Sequence, residues 1–247
     1  DMKENLKRPL EPLFSIDKQK CLDCCVPVCT KVCPVSAVKC HNDGSFFIDE
    51  KRCIGCGDCL THCPMGAVSF RNSIDEVKHL INNYKTLALL DPSIAGEFED
   101  ITDYRKFVAM IKSLGFTYVH EVSFGVDMIA QKYNALINKG SGKYYIFSTC
   151  PAIVNYVRKF HPDLVKNLAP LMSPSVALAK YLRKYYDDQT KFVFIGPCIA
   201  SKDEEFYSET KYIDANITFR ELRQMFKDYD IHEIMAEFDD FDMPHGN

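Results

Sequence analysis

With 247 residues, 47% of them hydrophobic and 26% charged, the chain has apolar content for one large buried core or two modest ones. A formal charge of -4, with lysines scattered along the chain, excludes the basic footprint of a nucleic-acid binder. No run approaches the ~18–20 apolar residues of a spanning helix. The start DMKENLKRPLEPLF lacks the apolar stretch of a signal peptide, so neither nucleic acid nor membrane is expected as a partner and the compartment is expected to be cytoplasmic. In such a reducing setting clustered thiols bind metal rather than form disulfides. The chain opens at Asp1, which reads as a trimmed piece of something longer.

After an N-terminal extension over 1–13 comes an internal repeat. FSIDKQKCLDC (14–24) and FFIDEKRCIGC (46–56) share Phe, Ile, Asp, a basic residue and two cysteines at an offset of 32, whereas CPVSAV (33–38) and CPMGAV (63–68) match at an offset of 30. The first copy therefore holds two extra residues between Cys24 and Cys29. It reads C-x2-C-x4-C-x3-C-P over Cys21, Cys24, Cys29, Cys33 and Pro34, against C-x2-C-x2-C-x3-C-P over Cys53, Cys56, Cys59, Cys63 and Pro64. Three close thiolates suit three corners of a cubane, and a fourth before proline reaches the other cluster. The spacing assigns one 4Fe–4S cluster to Cys21, Cys24, Cys29 and Cys63, and a second to Cys53, Cys56, Cys59 and Cys33. Zinc is the competing reading, but structural zinc sites use two separated C-x2-C knuckles. Residues 14–70 resemble bacterial-type two-cluster ferredoxins, and the longer gap in copy one resembles iron–sulfur subunits of multi-subunit oxidoreductases. An α+β two-cluster ferredoxin domain is expected over 14–72. Cys25 is an alternative to Cys24; otherwise Cys25 and Cys40 read as buried small apolar residues. HNDG (41–44) reads as a turn between two short strands.

From residue 73 to 247 the texture changes. TLALLD (86–91), YYIFST (144–149) and KFVFIG (191–196) are apolar runs of strand length. Between them, YRKFVAMIKSL (104–114) and VDMIAQKYNALI (126–137) have helical spacing, with Gly115 and Gly140 placed as stops. Ser173-Pro174 opens another helix, and Thr218 with Glu221 forms a capping box before FRELRQMF. This alternation predicts an α/β domain with a mostly parallel sheet flanked by helices, its ligands at the carboxyl ends of strands. Cys150 and Cys198 each follow an apolar run and adjoin a proline. They read either as two buried thiols or as a shared metal site at the sheet edge, fed by the ferredoxin domain.

FSTCPAIVNYVRKFHPDLVKNLAPLMSP (147–174) resembles the first signature segment of iron-only (FeFe) hydrogenases, and GPCIASKDEE (196–205) resembles the second. PSIAGEF (92–98), SFGVD (123–127) and YIDANITFRELRQMF (212–226) extend the likeness. The resemblance implies a third 4Fe–4S cubane held by four cysteines, one of which bridges to a two-iron subcluster where protons and electrons combine to dihydrogen. Cys150 and Cys198 fall on the first two of those positions. The third segment, E-x-x-x-C-x-x-G-C, is not found before Asn247, so the expectation is a fragment without a full catalytic centre, binding about eight irons rather than about twelve.

Departures from the family pattern bear on function. Thr149 stands where hydrogen-producing members carry a proton-passing cysteine, and a hydroxyl is a poor relay near neutral pH. Ser201 replaces a lysine that contacts a cyanide ligand, with Lys202 one residue late, and Gly196 replaces a methionine. Ser173 matches a serine of the proton path, while the glutamates expected after Asp127 are missing. These changes resemble the divergent branch of the family thought to sense hydrogen or redox state in anaerobes. The partners so implied are a ferredoxin-like or reductase redox protein and a signalling domain in the parent chain. Two other readings stand beside it: an electron-transfer module with a non-catalytic hydrogenase-like domain, and a eukaryotic iron–sulfur assembly factor of the hydrogenase-like family, which has a sparser N-terminal cysteine set. His62 reads as a solvent-facing residue or one hydrogen-bonded to sulfur, His161 as a helix end. EFDDFD (237–242) reads as a solvated turn, with docking of a basic redox partner as the alternative.

Overall fold

The computed structural model describes residues 11–22, 24, 27–139, 144–207 and 211–242; Cys25 and Gly140 lie outside them. By contact the chain divides into two compact units: Asp1–Arg71 with Tyr144–Ala169 and Ile199–Glu209, and Asn72–Lys143 with Pro170–Cys198 and Thr210–Asn247. Two stretches that follow the ferredoxin-like repeat in sequence thus belong with it in space.

In the first unit the repeat becomes two antiparallel ladders. Strand β1 (Phe14–Ile16) and strands β2 (Val38–Cys40), β3 (Phe46–Ile48) and β4 (Val68–Phe70) pair as β1 with β4 and β2 with β3. Each copy therefore lends its first strand to the end of one ladder and its last to the other. The two copies repeat the same local bonds: Asp17 N–H to the Ala67 carbonyl and Asp49 N–H to the Ala37 carbonyl, both 2.8 Å. HNDG makes the expected turn between β2 and β3, with the Asp43 carboxylate accepting from both the N–H and the hydroxyl of Ser45. Cys40 departs from expectation. It is exposed at the end of β2, where Val38 alone of the three strand residues is buried.

The second unit is built on a four-stranded parallel sheet in the order β6-β5-β7-β8, with β5 Thr86–Leu90, β6 Tyr118–Glu121, β7 Lys191–Gly196 and β8 Ala215–Thr218. Alternate residues of the central strands face opposite cores. Ala88, Leu90, Val193 and Ile195 join helices Ile74–Asn83, Tyr104–Ser113 and Phe219–Asp228 on one side. Leu87, Leu89, Phe192 and Phe194 meet helix Pro174–Leu182 on the other. Strands buried on both faces read as continuous apolar runs, which is why TLALL and KFVFIG stand out in the sequence. The capping box forms as expected: the Glu221 carboxylate accepts from Thr218 N–H at 2.7 Å and, with its other oxygen, from Ser73 N–H at 2.7 Å. Ser173 does precede helix Pro174–Leu182, but its hydroxyl meets that of Ser175 at 3.2 Å instead of capping a backbone N–H.

One expectation fails in this region and another holds only in part. YYIFST is not a strand of the sheet. Ile146 makes one parallel bridge to Leu168, bonded through Asn167 and Ala169, while Tyr144 and Phe147 are exposed; a strand of the buried sheet needs both faces covered. EFDDFD departs from a solvated turn in part: Glu237, Phe238 and Asp240 are exposed, but the segment is tied down. Lys112 pairs with Asp239 at 3.0 Å and Asp242 at 3.4 Å, Tyr104 stacks on Phe241, and the Arg105 guanidinium lies 4.7 Å from the Phe238 ring centre. Asp242 then closes the open edge of β6, its N–H donating to the Val119 carbonyl at 2.9 Å and its carboxylate accepting from Val119 N–H at 2.8 Å.

Candidate metal centre

Three cysteines of the first unit are placed by short helices, each one residue inside a helix end. Cys21 lies in helix Lys18–Leu22, Cys29 in Val28–Val32 and Cys59 in Asp58–Thr61. Gly57 precedes the last of these with φ 87°, a left-handed conformation that costs a side-chain-bearing residue free energy. The two Cys-Pro turns mirror one another. Ala37 N–H donates to the Cys33 sulfur at 3.1 Å and Ala67 N–H to the Cys63 sulfur at 3.3 Å, with Ser36 and Gly66 both at positive φ to allow the turn.

Cys21, Cys24, Cys29 and Cys63 border one cavity together with Ile16, Val28, Phe46, Pro64, Met65 and Val68. Cys33, Cys53, Cys56 and Cys59 form the other group. Burial first, then the neighbouring thiols of Cys53, Cys56 and Cys33, push the Cys59 thiol up to about 12. Burial likewise raises Cys29, followed by Cys21 and Cys63 beside it. Cys63 goes the other way: burial acts to raise it, but four backbone N–H groups from Met65 to Val68 together bring it below the usual thiol range. Each group thus places three thiols of one repeat copy beside the Cys-Pro thiol of the other. Among the described residues no three cysteine, histidine or acidic side chains converge tightly enough to hold a single metal ion. The first quartet surrounds a space rather than a point, with the soft donors and backbone N–H groups that a cubane needs.

The second quartet carries a further layer that spacing could not reveal. Helix Pro151–Phe160 begins immediately after Cys150, its N-terminal flanking residue, and packs Tyr156 and Phe160 on Val35, Ala37 and Ile54 of the cluster loops. Asn155 donates to the Ile54 carbonyl at 3.4 Å. The 3-10 segment Ile199–Tyr207, directly following Cys198, lies against the same loop: a β-carbon at Gly55 would come within 3.1 Å of Ala200 Cβ, and one at Gly57 within 3.4 Å of the Ile199 side chain. Gly55 and Gly57 thus combine positive φ with close approach. Helical signals marked this helix in sequence as the segment after Cys150, but nothing there named its partner.

Of the remaining expected positions, Thr149 and Cys150 are exposed, Ser201 and Lys202 buried, and all four belong to the first unit. The Lys202 ammonium lies 5.6 Å from the Phe70 ring centre, and its carbonyl accepts from Arg71, which also pairs with Asp203 at 2.6 Å. Ser173 is buried in the second unit, and Cys198 closes a segment of that unit. Two thiolates do not by themselves complete the four-thiolate site of a third cubane. His62 faces solvent with its ring nitrogen on the Asp58 carbonyl at 2.9 Å, and His161 ends its helix, bonded to the Tyr156 hydroxyl at 3.1 Å.

Residues 84–247 match the C-terminal domain of the iron-only hydrogenase large subunit, and residues 46–68 match a 4Fe–4S binding domain. The chain belongs to the iron-only hydrogenase large-subunit family and is an iron–sulfur protein with a ferredoxin-type 4Fe–4S domain. It is 28% identical to iron hydrogenase 1 of Clostridium pasteurianum, over 87% of this chain and 44% of that one. It is 30% identical to the periplasmic [Fe] hydrogenase large subunit of Nitratidesulfovibrio vulgaris, over 73% and 57%. The chain thus spans about half the length of these relatives. In fold it resembles [FeFe]-hydrogenase HydA1 from Chlamydomonas reinhardtii, in a variant form, with TM-score 0.63 and 20% identity over 72% of this chain and 52% of that one. No helix among the described residues is long and apolar enough to cross a membrane.

Proposed function

We propose that this chain binds two 4Fe–4S clusters, one on Cys21, Cys24, Cys29 and Cys63 and one on Cys33, Cys53, Cys56 and Cys59, and that it exchanges electrons between a redox partner protein and a hydrogenase-type cluster site to which Cys150 and Cys198 contribute. The sorting of the eight thiols into two cross-linked quartets carries the reading. The clusters would supply one-electron storage. The polypeptide supplies soft ligands, N–H···S bonds at Cys33 and Cys63, and a helix from Cys150 seated on the second loop.

The role best supported within the family is that of a divergent hydrogen or redox sensor rather than a fast hydrogenase. Thr149, Ser201 and Gly196 each replace a residue that the resemblance associates with proton transfer or subcluster contact. The sensor would work with a signalling domain of the parent protein. The alternative is an electron-transfer module whose hydrogenase-like part is non-catalytic. The test is EPR with iron and sulfide quantification on anaerobically reconstituted protein, followed by hydrogen-evolution assay. About eight irons with two cubane signals are expected for the ferredoxin quartets alone, and about four would remove one of them. Hydrogen evolution at a typical enzyme rate of about 10 s⁻¹ or above would overturn the sensor role.

A further inference from the structure

The two quartets differ in their electrostatic surroundings. Among the described residues the cavity of the first is bordered by apolar side chains and its cysteines, with no charged residue. Around the second, two cations are anchored on backbone carbonyls. Lys159, in the last turn of helix Pro151–Phe160, donates its ammonium to the Glu50 carbonyl at 3.0 Å and to the carbonyl of Cys53 itself. Arg52 donates twice to the Val35 carbonyl, at 2.9 and 2.8 Å, two residues beyond Cys33, and its guanidinium lies 5.0 Å from the Phe160 ring centre.

Two carboxylates also face this quartet, Asp58 beside Cys56 and Asp203 beside Cys53. Asp203 is tied to Arg71 at 2.6 Å, which offsets its charge. The bond from Asn155 to the Ile54 carbonyl holds the Lys159 helix on the same loop.

We propose that Lys159, supported by Arg52, raises the reduction potential of the cluster on Cys33, Cys53, Cys56 and Cys59 above that of the cluster on Cys21, Cys24, Cys29 and Cys63. The proposal rests on the assignment of a cubane to each quartet. Reduction adds one electron, hence one negative charge, to a cubane and requires no proton; a cation held close by stabilises the reduced form more than the oxidised one. Lys159 is a positioning residue in this scheme, acting on the cluster through the field at its ligand backbone. An electron taken from a one-electron reductant then rests on the cluster whose loop carries the Cys150 helix.

The experiment is an EPR-monitored dithionite titration of the reconstituted full chain, with iron and sulfide counted first. Two midpoints are expected in the unmutated protein. In Lys159→Gln the higher one should fall while the lower stays, Lys159→Arg should restore it, and Arg52→Gln should lower the same midpoint independently. Both clusters loaded with neither midpoint moved, both moved together, or a cluster lost in Lys159→Gln would each overturn the proposal. An iron count below two cubanes in the unmutated chain would instead refute the ligand assignment, and is read before any titration.

Discussion

Glu221 is a buried carboxylate whose two oxygens serve different partners, Thr218 at its own helix start and the Ser73 N–H at the start of another helix. Replacing it with alanine removes a cap and leaves a buried N–H without its acceptor, so Glu221→Ala should cost about 2–4 kcal/mol of stability, read by chemical denaturation. A loss under about 0.5 kcal/mol would show that water replaces the carboxylate. Gly125 is a second sensitive position. A β-carbon there would collide with the Pro174 carbonyl oxygen and approach Leu178 Cβ to 3.0 Å, so Gly125→Ala should destabilise by about 1–3 kcal/mol although alanine favours the helix. Cys33 gives a metal-based test of cross-ligation. Although it belongs to the first repeat copy, Cys33→Ala should weaken the cluster of the second, reducing iron to about four per chain while the EPR signal of the first quartet persists. The capping box was legible because Thr-x-x-Glu is a local pattern. The Ser73 partner of Glu221 was not, since 148 residues separate the two and no periodicity links them.

At the scale of elements, the acidic segment before residue 243 is an edge guard. An exposed edge strand offers unpaired N–H and carbonyl groups to any passing strand, and the outer groups of Val119 on β6 are taken by Asp242. Asp242→Ala should therefore cost about 1–3 kcal/mol and speed hydrogen exchange at the Val119 amide; unchanged exchange there would show that the edge is protected by other means. Continuous apolar strands and amphipathic helices could be read directly, because their burial is written into residue type at fixed spacing. β6 and β8 escaped notice at four residues each, too short to establish a period. YYIFST misled for the opposite reason. It has the composition of a strand, but pairs with residues 167–169 of its own unit, and composition carries no information on partners.

For the whole molecule, acid should act on several carboxylates held by hydrogen bonds, most of them in the second unit, with Asp43, lowered by Ser45, in the first. Arg105 holds the Asp103 carboxyl down to about 2, Arg223 lowers Asp100, Thr190 lowers Asp187, Gln224 lowers Asp228 and Thr102 lowers Glu233. A carboxylate with depressed folded pKa contributes stability above its unfolded value near 4 that is lost as pH falls through the folded one. Unfolding of the full chain, followed by near-ultraviolet circular dichroism, should become easier between about pH 4 and about pH 2, and a flat response over that window would contradict this. On the alkaline side burial keeps the Tyr186 hydroxyl, 2.7 Å from His120, protonated up to about 12. That contribution is present below about pH 10 and disappears toward about 12.

The path of the backbone also limits how this protein can be taken apart. The chain passes between its two units five times, so neither is a continuous stretch of gene. A recombinant piece ending at residue 71 would keep all eight ferredoxin thiols yet lose Asn155, Tyr156, Lys159, Phe160 and Ala200, leaving Val35, Ala37 and Ile54 wet. Such a minimal ferredoxin should hold one inorganic core well and shed the other in air, its weaker half being the one that the severed downstream sequence was covering.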